Sequence, residues 1–244
     1  SDILNEYPQA VSNLLKKYLN IKSFLPYKGD INYFSKIDSY SKAYIVGFIA
    51  ADGALVKTKT TTTLTITLKY EDKEILEFIK SEIGNEHKLQ EIKRKSSFDS
   101  DKEIHHIRYT ISDKNITLDL NKLGITSNKS LSIGNIINNI PFKYRNAFII
   151  GYFDGDGSVT VNNTTKTKFI KKDQKEKHFP CYNLSVQIRG TKEFLKGICN
   201  HLYIKESYIK QYDSIPRLCF ANKQDIIKIF NCYKNLPFFL KRKY

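Results

Sequence analysis

The sequence predicts an α/β (α+β) protein made of two pseudo-symmetric αββαββα repeats. Three observations predict it: an apolar motif that occurs twice, a change from helical to alternating periodicity after each copy, and a strand-then-helix series that also occurs twice. The motif copies are "AYIVGFIAADGAL" (43–55) and "AFIIGYFDGDGSV" (147–159). Setting Asp52 on Asp156 gives an offset of 104 (156 − 52) and carries Ala43, Gly47 and Ala51 onto Ala147, Gly151 and Gly155. Each trio is spaced i, i+4, i+8 and so lines one helix face, where small side chains let another backbone approach closely.

The elements after each motif follow in order. "TLTITLK" (63–69) sets Leu64, Ile66 and Leu68 against Thr65, Thr67 and Lys69; "NLSVQIR" (183–189) sets Leu184, Val186 and Ile188 against Ser185, Gln187 and Arg189. Both read as half-buried strands, with Thr67 the partner of Gln187. Amphipathic helices follow in "DKEILEFIKSEIG" (72–84) and "TKEFLKGICNHL" (191–202). The third match sets "RYTISDKNITLDLNKLGI" (108–125) against "RLCFANKQDIIKIFNCY" (217–233), a strand leading to Asp113-Lys114-Asn115 or Asn222-Lys223-Gln224 and then a helix. From the Gly of the motif to the aligned strand is 11 residues (64 − 53) in the first half and 27 (184 − 157) in the second. The extra length holds the basic tract "KTKFIKKDQKEKHF" (166–179), read as a hairpin tip. The expected organisation is an N-terminal extension (1–38), a first repeat (39–126), a connection (127–141) and a second repeat (142–244). Within the extension, 9–25 has amphipathic helical spacing, and Ser39 or Ser41 is the expected cap of the first motif helix.

Composition bounds the partners. The 244 residues carry 40 Lys and Arg against 25 Asp and Glu, a formal charge of +15, which calls for an anionic partner and for nucleic acid first. With 41% apolar residues the chain is expected to fold. No apolar run reaches the ~20 residues of a membrane span, and no signal peptide opens the chain, so an intracellular protein in a DNA-containing compartment (cytoplasm, nucleoid or organelle matrix) is expected, with no membrane partner and no secretion. Cys181, Cys199, Cys219 and Cys232 form no CxxC pair, which argues against zinc and for buried thiols in a reducing compartment.

The repeated Asp carries the chemistry. A helix C-terminus presents unsatisfied carbonyls and partial negative charge. An Asp there, followed by Gly as a C-cap, makes a poor helix end unless a cation is present. Two such helices joined along their small-residue stripes bring two carboxylates and adjacent carbonyl oxygens together, an oxygen-only environment suited to a hard divalent cation. In a strongly basic protein this points to metal-assisted phosphodiester hydrolysis. Asp154, Asp156 and Ser158 lack the longer ligand series of an EF-hand.

The segments "IVGFIAADG" (45–53) and "IIGYFDGDG" (149–157) resemble the motif that names the LAGLIDADG homing endonucleases. The resemblance is to the single-chain form with two motifs and covers roughly residues 39 to 244, "LGITSNKS" (123–130) included. It implies two four-stranded antiparallel sheets forming a saddle on DNA, with the two motif helices packed at the centre of a monomer. It implies catalytic metal, Mg²⁺ with Mn²⁺ or Ca²⁺ able to substitute for binding, held by Asp52 and Asp156 and by the carbonyls of Ala51 and Gly155. It implies a catalytic Lys near each site, for which Lys114 and Lys223 stand at matching places, and a water-holding polar strand residue, for which Gln187 fits. The first motif departs at its earlier acidic position, which is Ala50. The implied activity is cleavage of both strands of a long duplex target, leaving short 3′ overhangs.

Strand ribbons fit the major groove. The candidate DNA-reading residues are therefore Lys57, Lys59, Thr61, Thr63, Thr65, Thr67 and Lys69 in the first half and Ser185, Gln187 and Arg189 in the second. Lys166, Lys168, Lys171 and Lys172 of the insertion join them. Unequal halves predict an asymmetric site. Two competing readings are a nuclease-inactive relative serving as an intron-splicing maturase or DNA-binding regulator, and an intein fragment. The ending "LKRKY" lacks the Asn that protein splicing needs, and two intact motif carboxylates favour cleavage.

Overall fold

The computed structural model describes residues 29–58, 61–84, 87–95, 103–127, 133–170, 175–212 and 214–243. At its centre lie the two motif helices, α1 (Tyr40–Asp52) and α4 (Arg145–Asp156). Both are buried along most of their length, from Ala43 to Ala50 and from Ala147 to Asp154, as expected of helices that are apolar nearly all round. The Ser39 side chain accepts the Lys42 amide at 3.1 Å and caps α1. A Cβ on Gly47 would stand 2.0 Å from the Phe148 carbonyl oxygen, and one on Gly151 would stand 1.9 Å from that of Tyr44. Tyr44 and Phe148 are themselves related by the offset of 104, so the contact is reciprocal and marks a pseudo-twofold axis between the helices.

Each motif helix runs directly into a four-stranded antiparallel sheet. The first joins β1 (Gly53–Lys57), β2 (Thr62–Lys69), β3 (Gln90–Lys95) and β4 (Glu103–Ile111) in the order β1-β2-β4-β3. The second joins β5 (Gly157–Ile170), β6 (Lys175–Arg189), β7 (Ile209–Tyr212) and β8 (Ile215–Phe220) in the equivalent order β5-β6-β8-β7. Helices α2 (Lys73–Ile83) and α3 (Lys114–Leu123) belong to the first half, α5 (Lys192–Leu202) and α6 (Lys223–Asn231) to the second. Leu64, Ile66 and Leu68 of β2 are buried with Ile107, Tyr109 and Ile111 of β4, while Thr63, Thr65, Thr67 and Lys69 lie on the other face. The α+β class and the order of elements in both repeats thus agree with the sequence.

Four readings need correction. Gly53 pairs with Ile66 and Gly157 with Ile188, so the second strands correspond at an offset of 122 (188 − 66), and Gln187 is the counterpart of Thr65 rather than Thr67. A shift of two keeps the buried face buried, which is why alternation could not detect it. Lys57 does not share the threonine face. It lies directly opposite Thr62 and in phase with buried Gly53 and Leu55, and it lines a cavity with Thr117, Leu118 and Asn121 of α3. The motif glycines Gly53 and Gly157 do cap their helices, but in extended backbone (φ −74° and −86°) rather than the left-handed conformation usual for a capping glycine. They are small because a Cβ would stand 2.8 Å from Ile49 Cγ2 or 2.1 Å from Phe153 Cδ2. The insertion is more than a tip: β5 and β6 continue as one ribbon to the pair Ile170–Lys175.

The chain between the sheets is anchored. Ile133, Ile136, Ile137 and Ile140 are buried, and the Thr191 hydroxyl donates to the Ile133 carbonyl. Tyr33, Phe34 and Ile37 are buried ahead of α1, so this part of the extension is packed, whereas 1–28 lie outside the described residues. After α6 the chain crosses to the first half as a strap. Phe238 stacks on Phe78 at 4.6 Å and meets Tyr44 edge-on, and Arg242 forms a bidentate pair with Asp72 at 2.7 and 2.8 Å. The four cysteines form no disulfide with one another, and Cys199 and Cys232 are buried. Among the described residues, no helix is long and apolar enough to cross a membrane.

Candidate active site

The site is built from the ends of α1 and α4. Packing along the glycine stripes carries both helices to the same place, and each ends on its Asp before turning into a strand. Asp52 Oδ2 lies 3.2 Å from where a Cβ on Gly155 would stand, and Gly155 is the residue before Asp156. That Cβ would also stand 2.3 Å from the Ala51 Cβ, so Gly155 has to be small, and the ends of the two helices, with Asp52 and Asp156, meet there. Both are exposed at the helix ends. Asp52 opens onto a cleft of about 500 Å³ lined also by Thr67, Lys69, Asp72, His106 and Arg242.

Tyr152, which sequence reasoning missed, lies beneath the two carboxylates and feels the charge of both. It is buried, its hydroxyl donates to the Arg189 carbonyl at 2.9 Å, and it is also hydrogen-bonded to Asp156. Burial, then the Asp156 carboxylate, then Asp52, push its phenol far above the ordinary value, so it stays a neutral donor. An aromatic one turn before Asp156 was visible in the sequence, but the reach of its hydroxyl to the Arg189 carbonyl at the end of β6 was not.

Asp154 was also missed, because a second Asp in "DGDG" reads as one more surface acid. It is 1% exposed. The Tyr44 hydroxyl donates to it at 2.6 Å, the Leu240 amide at 2.8 Å and the Tyr233 hydroxyl at 3.4 Å. Burial raises its pKa, and the Tyr44 and Leu240 hydrogen bonds oppose that rise. Asp154 thus anchors the C-terminal strap. The strap in turn delivers Lys243, whose Nζ donates to the carbonyls of Phe153 (3.1 Å), Asp154 (2.6 Å), Gly155 (3.0 Å) and Gly157 (2.8 Å).

The remaining sequence candidates fall into three groups. Thr67 lines the Asp52 cleft and accepts from Arg108 Nε at 3.1 Å; Lys69 lines the same cleft. Gln187 lies opposite Ser158 and Cys219 on β6, two residues before Arg189, on the half-exposed side of the strand. Lys114 and Lys223 are the first residues of α3 and α6, behind the caps Asp113 and Asn222. Lys114 shares its cavity with Lys57, Thr61 and Thr62, at the end of β2 away from Asp52. Lys166 and Lys168 lie on β5; Lys59, Lys171 and Lys172 lie outside the described residues.

Comparison with known proteins agrees with the fold. Residues 143–227 match the family model of the LAGLIDADG-like domain. No curated protein matches the chain by sequence. Among solved structures, the homing endonuclease I-WcaI bound to its DNA recognition sequence superposes with a TM-score of 0.58 at 17% identity, over 87% of this chain and 88% of that one. The I-LtrWI LAGLIDADG homing endonuclease bound to target DNA gives 0.50 at 16%, over 83% and 86%. The LAGLIDADG meganuclease I-CpaMI bound to uncleaved DNA gives 0.51 at 13%, over 82% and 86%. At these identities the likeness is one of fold, and the resemblance read from the two motifs is borne out.

Proposed function

We propose that this chain, a LAGLIDADG-type fold with a LAGLIDADG-like domain in its second half, is a site-specific double-strand DNA endonuclease acting as a monomer. The observation that carries the reading is the convergence of Asp52 and Asp156 at the ends of two helices joined along glycines. Two carboxylates set side by side on a +15 chain repel the polyanion that the rest of its charge attracts. A binding module has no use for that arrangement, whereas metal-dependent hydrolysis requires it.

The donors available there are all oxygen: the two carboxylates and the carbonyls of Ala51 and Gly155. That set suits Mg²⁺, with Mn²⁺ or Ca²⁺ able to take its place for binding. A divalent ion bound there supplies activation of water and charge neutralisation at the leaving oxygen. The chain's own residues do the rest. The Tyr152 hydroxyl, its one proton shared between the Arg189 carbonyl and the Asp156 carboxylate, helps to position Asp156. Thr67 beside Asp52 and Gln187 beside Ser158 are the polar strand groups that hold and orient water near a scissile phosphate. Lys114 and Lys223, at equivalent helix starts, were expected near the carboxylates; Lys114 instead lies at the end of β2 away from Asp52, so no catalytic role is assigned to the pair.

The face of each sheet turned from its helices is the DNA surface, with Thr63, Thr65, Thr67 and Lys69 in the first half and Ser185, Gln187 and Arg189 in the second. Two sheets end to end span about two helical turns, on the order of 20 base pairs at ~10 per turn. The ribbon of β5 and β6 is far longer than that of β1 and β2, so the target is asymmetric. The test is selection of cleaved sites from a random duplex library with Mg²⁺. A single long non-palindromic site with short 3′ overhangs is expected; binding without cleavage under every metal supports instead a maturase or regulator.

A further inference from the structure

Four backbone carbonyls at the end of α4 point at one ammonium. Nζ of Lys243 lies 2.6 to 3.1 Å from the oxygens of Phe153, Asp154, Gly155 and Gly157. A lysine has three N–H donors, so these four acceptors saturate it. Convergence of carbonyl oxygens on one point at a helix C-terminus is a cation site, since each oxygen carries part of the negative end of the helix dipole. Burial, then Arg242, lower the pKa of this ammonium, while Asp154, Asp52 and Asp72 favour its charge. It is also held in place: Leu240 is fixed to Asp154, Arg242 to Asp72, and Phe238 to Phe78.

One of the four oxygens, that of Gly155, is the backbone ligand assigned above to the divalent ion beside Asp156. Two cations sharing one oxygen repel strongly at such separations. We propose that Lys243 is a tethered cation that occupies the backbone half of the Asp156 metal site and weakens divalent binding there. This rests on the metal-dependent reading of the paired carboxylates. Lys243 is thus a positioning residue that makes the two carboxylates unequal: the end of α4 carries a built-in positive charge before any metal arrives. A divalent ion using the Gly155 carbonyl must displace that ammonium.

The test is Mn²⁺ titration of the full chain, with free Mn²⁺ counted by electron paramagnetic resonance. It compares the unaltered protein with Lys243→Gln, which keeps hydrogen-bond donors for the carbonyls and removes the charge, and with Lys243→Met. Thermal unfolding verifies that each folds. In the Gln variant Mn²⁺ binding at one site tightens by about tenfold or more, the loss of one nearby charge being worth at least one decade at close range. That gain disappears when Asp156→Asn is added, and Lys243→Met gives the same direction if its fold survives. A Gln variant that binds Mn²⁺ no more tightly than the unaltered chain, while Asp52→Asn still weakens binding, overturns the role of Lys243 and leaves the metal site standing. Absence of Mn²⁺ binding in every form overturns the metal reading and this inference with it.

Discussion

The ends of the two motif helices occupy equivalent positions, yet they have diverged. The first reads Ala50-Ala51-Asp52, the second Asp154-Gly155-Asp156. Asp154 accepts from Tyr44, Tyr233 and the Leu240 amide. The pseudo-twofold counterpart of Tyr44 is Phe148, which has no hydroxyl to give, and position 50 is correspondingly a buried Ala. The difference therefore separates two jobs that the motif presents as one. The last acid of each motif faces solvent, open to the chemistry proposed for it. The earlier acid serves structure, and only in the half where the C-terminal strap docks.

Several changes break or sharpen that comparison. The largest effects belong to what the halves share. Gly47→Ala and Gly151→Ala each force a methyl to within about 2 Å of a backbone oxygen that cannot retreat without parting the helices. Each is expected to cost about 3 kcal/mol or more, nearly equally, in denaturant unfolding. Unequal losses break the symmetry of the crossing.

Next come the positions that differ. Asp154→Ala strands the Tyr44 hydroxyl and the Leu240 amide and is expected to cost about 3 kcal/mol and to expose the strap to proteolysis. The converse change, Ala50→Asp, buries a carboxylate opposite Phe148 and costs a similar ~3 kcal/mol. Adding Phe148→Tyr returns about 1 kcal/mol of that by restoring the Tyr44–Asp154 arrangement in mirror. Full tolerance of Ala50→Asp contradicts the structural assignment. The smallest effect is expected of Arg242→Ala. The Arg side chain is 55% exposed, so its bidentate pair with Asp72 is worth about 1 kcal/mol or less in thermal unfolding.

What was legible in the sequence followed from local rules. Alternation identified the buried face of β2, the glycine stripe identified the helix crossing, and the duplicated Asp marked the two helix ends that meet. Each failure has a non-local cause. The two hairpins differ in length, so strand register could not be carried across from one motif to the other. The turn between β1 and β2 reverses the chain, so the polar alternation of β2 could not be extended back to Lys57. The partners of Asp154 lie 110, 79 and 86 residues away, and no periodicity near residue 154 contains them. Lys243 was invisible for the same reason: "KRK" at a chain end reads as solvated charge until the strap that carries it is followed across the molecule.

The most direct measurement compares Asp52→Asn and Asp156→Asn with the unaltered chain on the selected duplex, scoring binding by electrophoretic mobility shift and cleavage of each strand with Mg²⁺. Each substitution is isosteric and sits at an exposed helix end, so the fold and the phosphate contacts that supply most of the affinity are retained. The expected result is binding within a few-fold of the unaltered chain and loss of double-strand cleavage in both variants. Undiminished cleavage by either variant, or loss of binding together with cleavage in a folded protein, would contradict a shared catalytic site at the two helix ends.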